Sequence, residues 1–155
     1  MVALLDVNLL IALFDPDHVH HQVAHDWFDD QRPSGWATCP LTENGLIRVA
    51  SSPSLFNPPH RPVDVIRQLR AFRDSGDHEF WPGAISISDQ RVFAPEMIRG
   101  HKQVADIYLL GLAKTHNGAL ATLDQSVALA SVKGATTKNL IVISAAPAES
   151  TPGDS

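Results

Sequence analysis

Residues 103–124 read QVADIYLLGLAKTHNGALATLD. The stretch from Gln103 to Thr115 is expected to be a helix, and it is apolar almost all round. Asn117-Gly118 closes it, since these residues suit the left-handed turn that ends many helices. Ala119 to Leu123 then reads as a short strand, ending at an acid, Asp124. The same grammar opens the chain. Val2 to Leu5 is a wholly apolar run suited to a central parallel strand buried on both faces, and it ends at Asp6.

Between these two stretches the pattern alternates. Asn8 to Phe14 is expected to be a short helix, stopped by Asp15-Pro16-Asp17. His20 to Gln31 is the next helix, ended by Arg32-Pro33-Ser34-Gly35. Trp36 to Thr38 is a strand candidate. Pro40 suits the first turn of a helix running from Leu41 to about Ala50. Residues 52 to 62 hold four prolines and form a loop. Pro62 opens a helix that ends near Asp74-Ser75-Gly76. The segment from Phe80 to Phe93 is ambiguous: Ala84 to Ser88 alternates like a strand, among prolines and glycines. Leu140 to Ser144 is a last strand, and residues 146–155 are expected to be a disordered tail. Strands alternating with helices indicate one α/β domain over residues 1–145, a three-layer α/β/α sandwich with a mostly parallel sheet.

Four acids stand where the chain is otherwise apolar: Asp6, Glu43, Asp106 and Asp124. Glu43 has Leu46, Ile47 and Ala50 at i+3, i+4 and i+7, so it shares the buried stripe of its helix, and Arg48 lies on another face. Asp106 has Leu109, Leu110 and Ala113 in the same relation. Asp6 and Asp124 follow strand ends, where ligands bind in open α/β sheets. Each acid has a local alternative. Asp6 can cap the next helix, worth about 1 kcal/mol. Glu43 and Asp106 can answer a helix dipole, worth about 0.3–1 kcal/mol. Asp124 can make an Asx turn or a cap. These alternatives compete well singly and poorly together. Carboxylates about 4 Å apart at an effective dielectric of about 20 repel by roughly 4 kcal/mol per pair. A shared divalent cation offsets this, and oxygen-only ligands select Mg²⁺ or Mn²⁺ over Zn²⁺. Such a centre hydrolyses phosphodiesters.

Composition narrows the setting. The chain has 155 residues, 44% of them hydrophobic, which suits one folded domain. Its net charge of -5 argues against a broad electrostatic grip on nucleic acid. A single cysteine, Cys39, rules out an internal disulfide and fits a reducing compartment. No secretory signal or membrane span is expected, so a cytoplasmic protein is the default.

The stretches LLDVNLLIAL, WATCPLTENGLIRVASSP and HKQVADIYLLGLAKTHNGALATLD resemble the motifs of the PIN-domain nucleases, most closely the VapC-type ribonuclease toxins of bacterial toxin–antitoxin pairs. The likeness spans about residues 2 to 144. It implies the three-layer fold and an endoribonuclease that uses Mg²⁺ or Mn²⁺ and inhibits translation by cutting tRNA, rRNA or mRNA. It implies Asp6, Glu43, Asp106 and Asp124 as catalytic and metal-binding residues, with Asn8 and Thr122 as supporting hydrogen-bonders. It also implies a VapB-type antitoxin as partner and a homodimer. Some relatives carry a further acid just after the position of Asp124, where this chain has Gln125.

Other features carry less. His21 and His25 are spaced i, i+4, but HVHHQVAH has no HExxH glutamate and no third ligand, so a solvated helix face is expected. Cys39, Trp27, Trp36 and Trp81 read as core. Arg48, Arg99, His101 and Lys102 are weak candidates for phosphate contacts. The competing reading is a catalytically silent PIN-like module that binds RNA or an antitoxin. A receiver domain would want paired early acids and a late lysine. A haloacid-dehalogenase-type phosphatase would want Asp-x-Asp, which Asn8 breaks.

Overall fold

The computed structural model describes residues 1–144, so the expected tail and the domain limit at 145 lie outside the described residues. Five strands, β1 (Ala3–Leu5), β2 (Trp36–Thr38), β3 (His78–Phe80), β4 (Ala119–Thr122) and β5 (Leu140–Val142), form one sheet in the order β3-β2-β1-β4-β5. Every neighbouring pair is parallel. Five α-helices connect them: α1 (Val7–Phe14), α2 (His21–Gln31), α3 (Pro40–Ala50), α4 (Pro62–Asp74) and α5 (Val104–Thr115).

The strands divide their side chains between two cores. Ala3, Leu5, Trp36 and Ala121 face α1 to α4, while Leu4, Ala37 and Leu120 face α5. Period-two alternation along wholly buried strands thus builds two layers of helix around one sheet. Each fully buried leucine contributes about 1.5–3 kcal/mol. The expected three-layer α/β/α sandwich is the observed one.

Helix α5 is apolar all round for a specific reason. One side covers β1 and β4. The other is covered by the ambiguous segment 80–93, which is not a strand at Ala84 to Ser88. Instead Phe93 is buried with Ile107, Leu110 and Val132, and Tyr108 donates to the Ile85 carbonyl at 3.2 Å. The strand missed in the sequence is β3, which pairs Trp36 with His78 and Thr38 with Phe80. It is an exposed edge strand of polar character, so it lacks the apolar pattern of its neighbours.

Two close approaches fix how the elements meet. Asn117 takes φ 55°, ending α5, and Gly118 follows it. A Cβ on Gly118 would lie 2.6 Å from the Val2 carbonyl oxygen, so the turn can press onto the start of β1 only as glycine. A Cβ on Gly45 would lie 2.5 Å from Val7 Cγ2, so α3 rests directly on the first turn of α1.

Candidate metal-binding active site

The carboxyl ends of β1 and β4 lie side by side, with Leu5 opposite Ala121. Asp6 therefore leaves the sheet beside Thr122, with Asp124 two residues further on. Asp6 is almost completely buried, at 4% exposure. Its Oδ1 accepts from the Val7 backbone N–H at 2.7 Å, and its Oδ2 accepts from the Thr122 hydroxyl at 2.7 Å. The cap and the site are thus one residue: the bond at the start of α1 aims the carboxylate.

Thr122, fully buried, organises this end of the sheet. Its single hydroxyl proton goes to Asp6, and its oxygen accepts from Asn8 Nδ2 at 3.1 Å and from the Asp124 N–H at 3.0 Å. Asn8 Oδ1 in turn accepts from the Leu123 N–H at 3.1 Å. Asn8 and Thr122 therefore lock the loop carrying Asp124 onto the start of α1. Asp124 Oδ1 accepts from the backbone and hydroxyl of Ser126 at 2.8 and 2.7 Å, an Asx turn.

Asp106, half-buried in the first turn of α5, completes the group. Burial and the nearby charges of Asp6 and Asp124 push its carboxyl up to about 7. Burial also raises Asp6, against the hydrogen bonds from Thr122 and Val7. The Ser126 bonds hold Asp124 below the usual carboxylate range. Three carboxyls close enough to perturb one another lack positive charge: none of the three takes part in an ion pair among the described residues. Asp6 and Asp106 line a cleft together with Asn8, Ile11, His18 and Val49.

Glu43 has partners of its own. Arg73 of α4 bonds both its oxygens, at 3.3 and 3.1 Å, and Thr38 donates to it at 2.6 Å. His78 sits 2.7 Å from the Thr38 hydroxyl, and burial and the Arg73 charge lower it to about 4. Glu43, expected as the fourth acid of the site, is held in an ion pair with Arg73. A guanidinium 30 residues away supplies what Arg48 does not, and no local pattern announces it.

Histidines 21 and 25 are not a solvated face either. His21 Nδ1–H donates to the Ala12 carbonyl at 2.7 Å and His25 Nε2–H to that of Leu13 at 3.0 Å, closing orphan carbonyls at the end of α1. Trp36, Trp81 and Cys39 are buried, and Trp27 packs partly against the core. Arg48, Arg99, His101 and Lys102 are exposed. Sequence reasoning passed over Arg73, Ser126 and His18. Only Ser126 had a signal, the Asp-x-Ser spacing of a side-chain turn.

A parallel sheet with carboxylates at its central strand ends defines a class, and the chain belongs to the PIN domain family, whose model matches residues 3–133. It is similar to ribonuclease VapC44 of Mycobacterium tuberculosis, 43% identical over 143 residues that cover 92% of this chain and all of that one. Ribonuclease VapC39 of the same organism is 39% identical over 128 residues, covering 83% and 92%. Ribonuclease VapC38 is 40% identical over 126 residues, covering 81% and 87%.

Does the donor set fit a divalent ion? Among the described residues no three ligand-type side chains form a ready-made cage. Mg²⁺ does not need one, since it keeps waters and takes one or two carboxylates plus substrate phosphate. Hard oxygen donors, with the raised carboxyls of Asp6 and Asp106 paired to no cation among the described residues, fit that ion.

Proposed function

We propose that this chain is a metal-dependent endoribonuclease and the toxin of a toxin–antitoxin pair. It hydrolyses RNA phosphodiester bonds, as the names of its ribonuclease VapC relatives indicate. The observation that carries the reading is the convergence of Asp6, Asp106 and Asp124 without a neutralising cation. In the proposed site Asp6 and Asp106 would hold Mg²⁺ or Mn²⁺, with the charge of Asp124 beside them. A bound ion would supply charge stabilisation and a more acidic water. The chain's own groups do the rest. Thr122 and Val7 orient Asp6, Asn8 fixes the loop, and the Ser126 bonds favour the ionised form of Asp124.

Glu43 keeps a place outside the ligand set, as the partner of Arg73. The partners in this reading are a cellular RNA, a VapB-type antitoxin and a second copy of the chain, in the cytoplasm. No helix among the described residues is long and apolar enough to cross a membrane. The silent-module alternative keeps the fold without turnover, and nothing about Asp6 and Asp106, which line the cleft, favours it. Purified protein free of antitoxin, incubated with total RNA, should give fragments with Mn²⁺ or Mg²⁺ and none with chelator. Asp6→Asn and Asp106→Asn should each lose this cleavage. Intact RNA in every condition would favour the silent module.

A further inference from the structure

The cleft at the carboxylates does not end there. Ile11, His18 and Val49 wall it, and the same three residues wall a second depression that runs to Leu55, Phe56 and His60 of the proline-rich loop. The two depressions share these walls, and together they form a groove. His60 sits edge-on to both Phe14 and Phe56, with ring centroids 5.0 Å apart in each case, so the far end is aromatic. Leu55 stands 63% exposed above it.

His18 lies at the join, and its tautomer is fixed. Its Nδ1 accepts the backbone N–H of His20 at 3.0 Å, so the ring proton is on Nε2. Among the described residues Nε2–H has no acceptor. No lysine or arginine lines either stretch, and Asp15 and Asp17 add negative charge at the rim. Such a surface suits an uncharged base better than a phosphate.

We propose that this groove is a nucleobase subsite, receiving the base next to the scissile phosphodiester against Leu55, Phe56 and His60, with His18 Nε2–H donating to a base carbonyl. The assignment rests on the endoribonuclease reading. Unpaired RNA is recognised in this way, by splayed bases laid on aromatic side chains and hydrogen-bonded at their edges. His18 is then a specificity-determining residue that touches substrate without taking part in bond cleavage.

Two substitutions separate this role from a structural one. His18→Asn keeps a side-chain acceptor for the His20 N–H but is too short to reach the groove. His18→Gln keeps a donor at the reach of Nε2. Cleavage of a random-sequence single-stranded RNA library with Mn²⁺ is followed by kinetics and by sequencing the cut ends. His18→Asn should raise KM about tenfold with kcat little changed, and should flatten the base preference beside the cut, at an unchanged melting temperature. His18→Gln should recover most of the affinity. Leu55→Glu, at an exposed position with little bearing on folding, should raise KM in the same direction. Wild-type KM and wild-type base preference in both His18→Asn and Leu55→Glu would overturn the subsite while leaving the nuclease standing. A wild-type protein that cuts nothing would remove the nuclease reading, and the subsite with it.

Discussion

Asp106 sits between two other carboxyls, and its protonation reports on the whole site. Its carboxyl is moved from 3.8 to about 7, by burial first and then by the charge of Asp6. The folded, metal-free protein therefore holds a proton that the unfolded chain releases above about pH 4. Stability from this group is lost as pH rises from about 4 to 7. His78 acts in the opposite sense: lowered to about 4 by burial and Arg73, it costs stability as pH falls below about 6.5. Comparing wild type with Asp106→Asn cancels the His78 slope. In chelator, Asp106→Asn should melt higher than wild type by at least about 2 °C at pH 7.5, with the gap closing toward pH 5. A constant gap would show that Asp106 is not protonated in the fold. Thr122 is the second residue on which the site turns. Thr122→Val removes the proton given to Asp6 and leaves a buried carboxylate short of a donor. It should cost about 1–3 kcal/mol in urea unfolding and lower kcat more than tenfold. Loss of stability with full turnover would make Thr122 structural only.

At the scale of elements, the strand ends carried the legible part of the site. Asp6 and Asp124 could be read because an acid after a buried parallel strand has few places to go. Asp106 could be read because α5 has no polar face to hide it. Glu43 looked the same by spacing, yet its partner Arg73 lies on α4, and long-range ion pairs leave no local trace. His21 and His25 were misread for the same reason, since their acceptors are backbone carbonyls of α1. Strand β3 escaped because an exposed edge strand carries no apolar alternation. The tie between α3 and α4 is open to test. Arg73 is 36% and Glu43 16% exposed, so their double-mutant cycle should give a coupling of about 1 kcal/mol. Glu43→Gln should keep most of the nuclease activity. Abolished cleavage with unchanged stability would return Glu43 to the metal site.

At the scale of the molecule, the sheet places its two central strands so that their carboxyl ends meet the first turns of α1 and α5. Fold and chemistry are coupled there, because the charge cluster that a divalent ion relieves is also a liability of the empty protein. An ion that binds only the folded state stabilises it by mass action, by about 2.7 kcal/mol at a hundred times its Kd. The most direct measurement is Mn²⁺ binding followed by electron paramagnetic resonance at pH 7.5, on wild type and on single variants. Wild type and Glu43→Gln should take up the ion with similar affinity, while Asp6→Asn and Asp106→Asn should lose it. Undiminished uptake by those two variants would contradict the account.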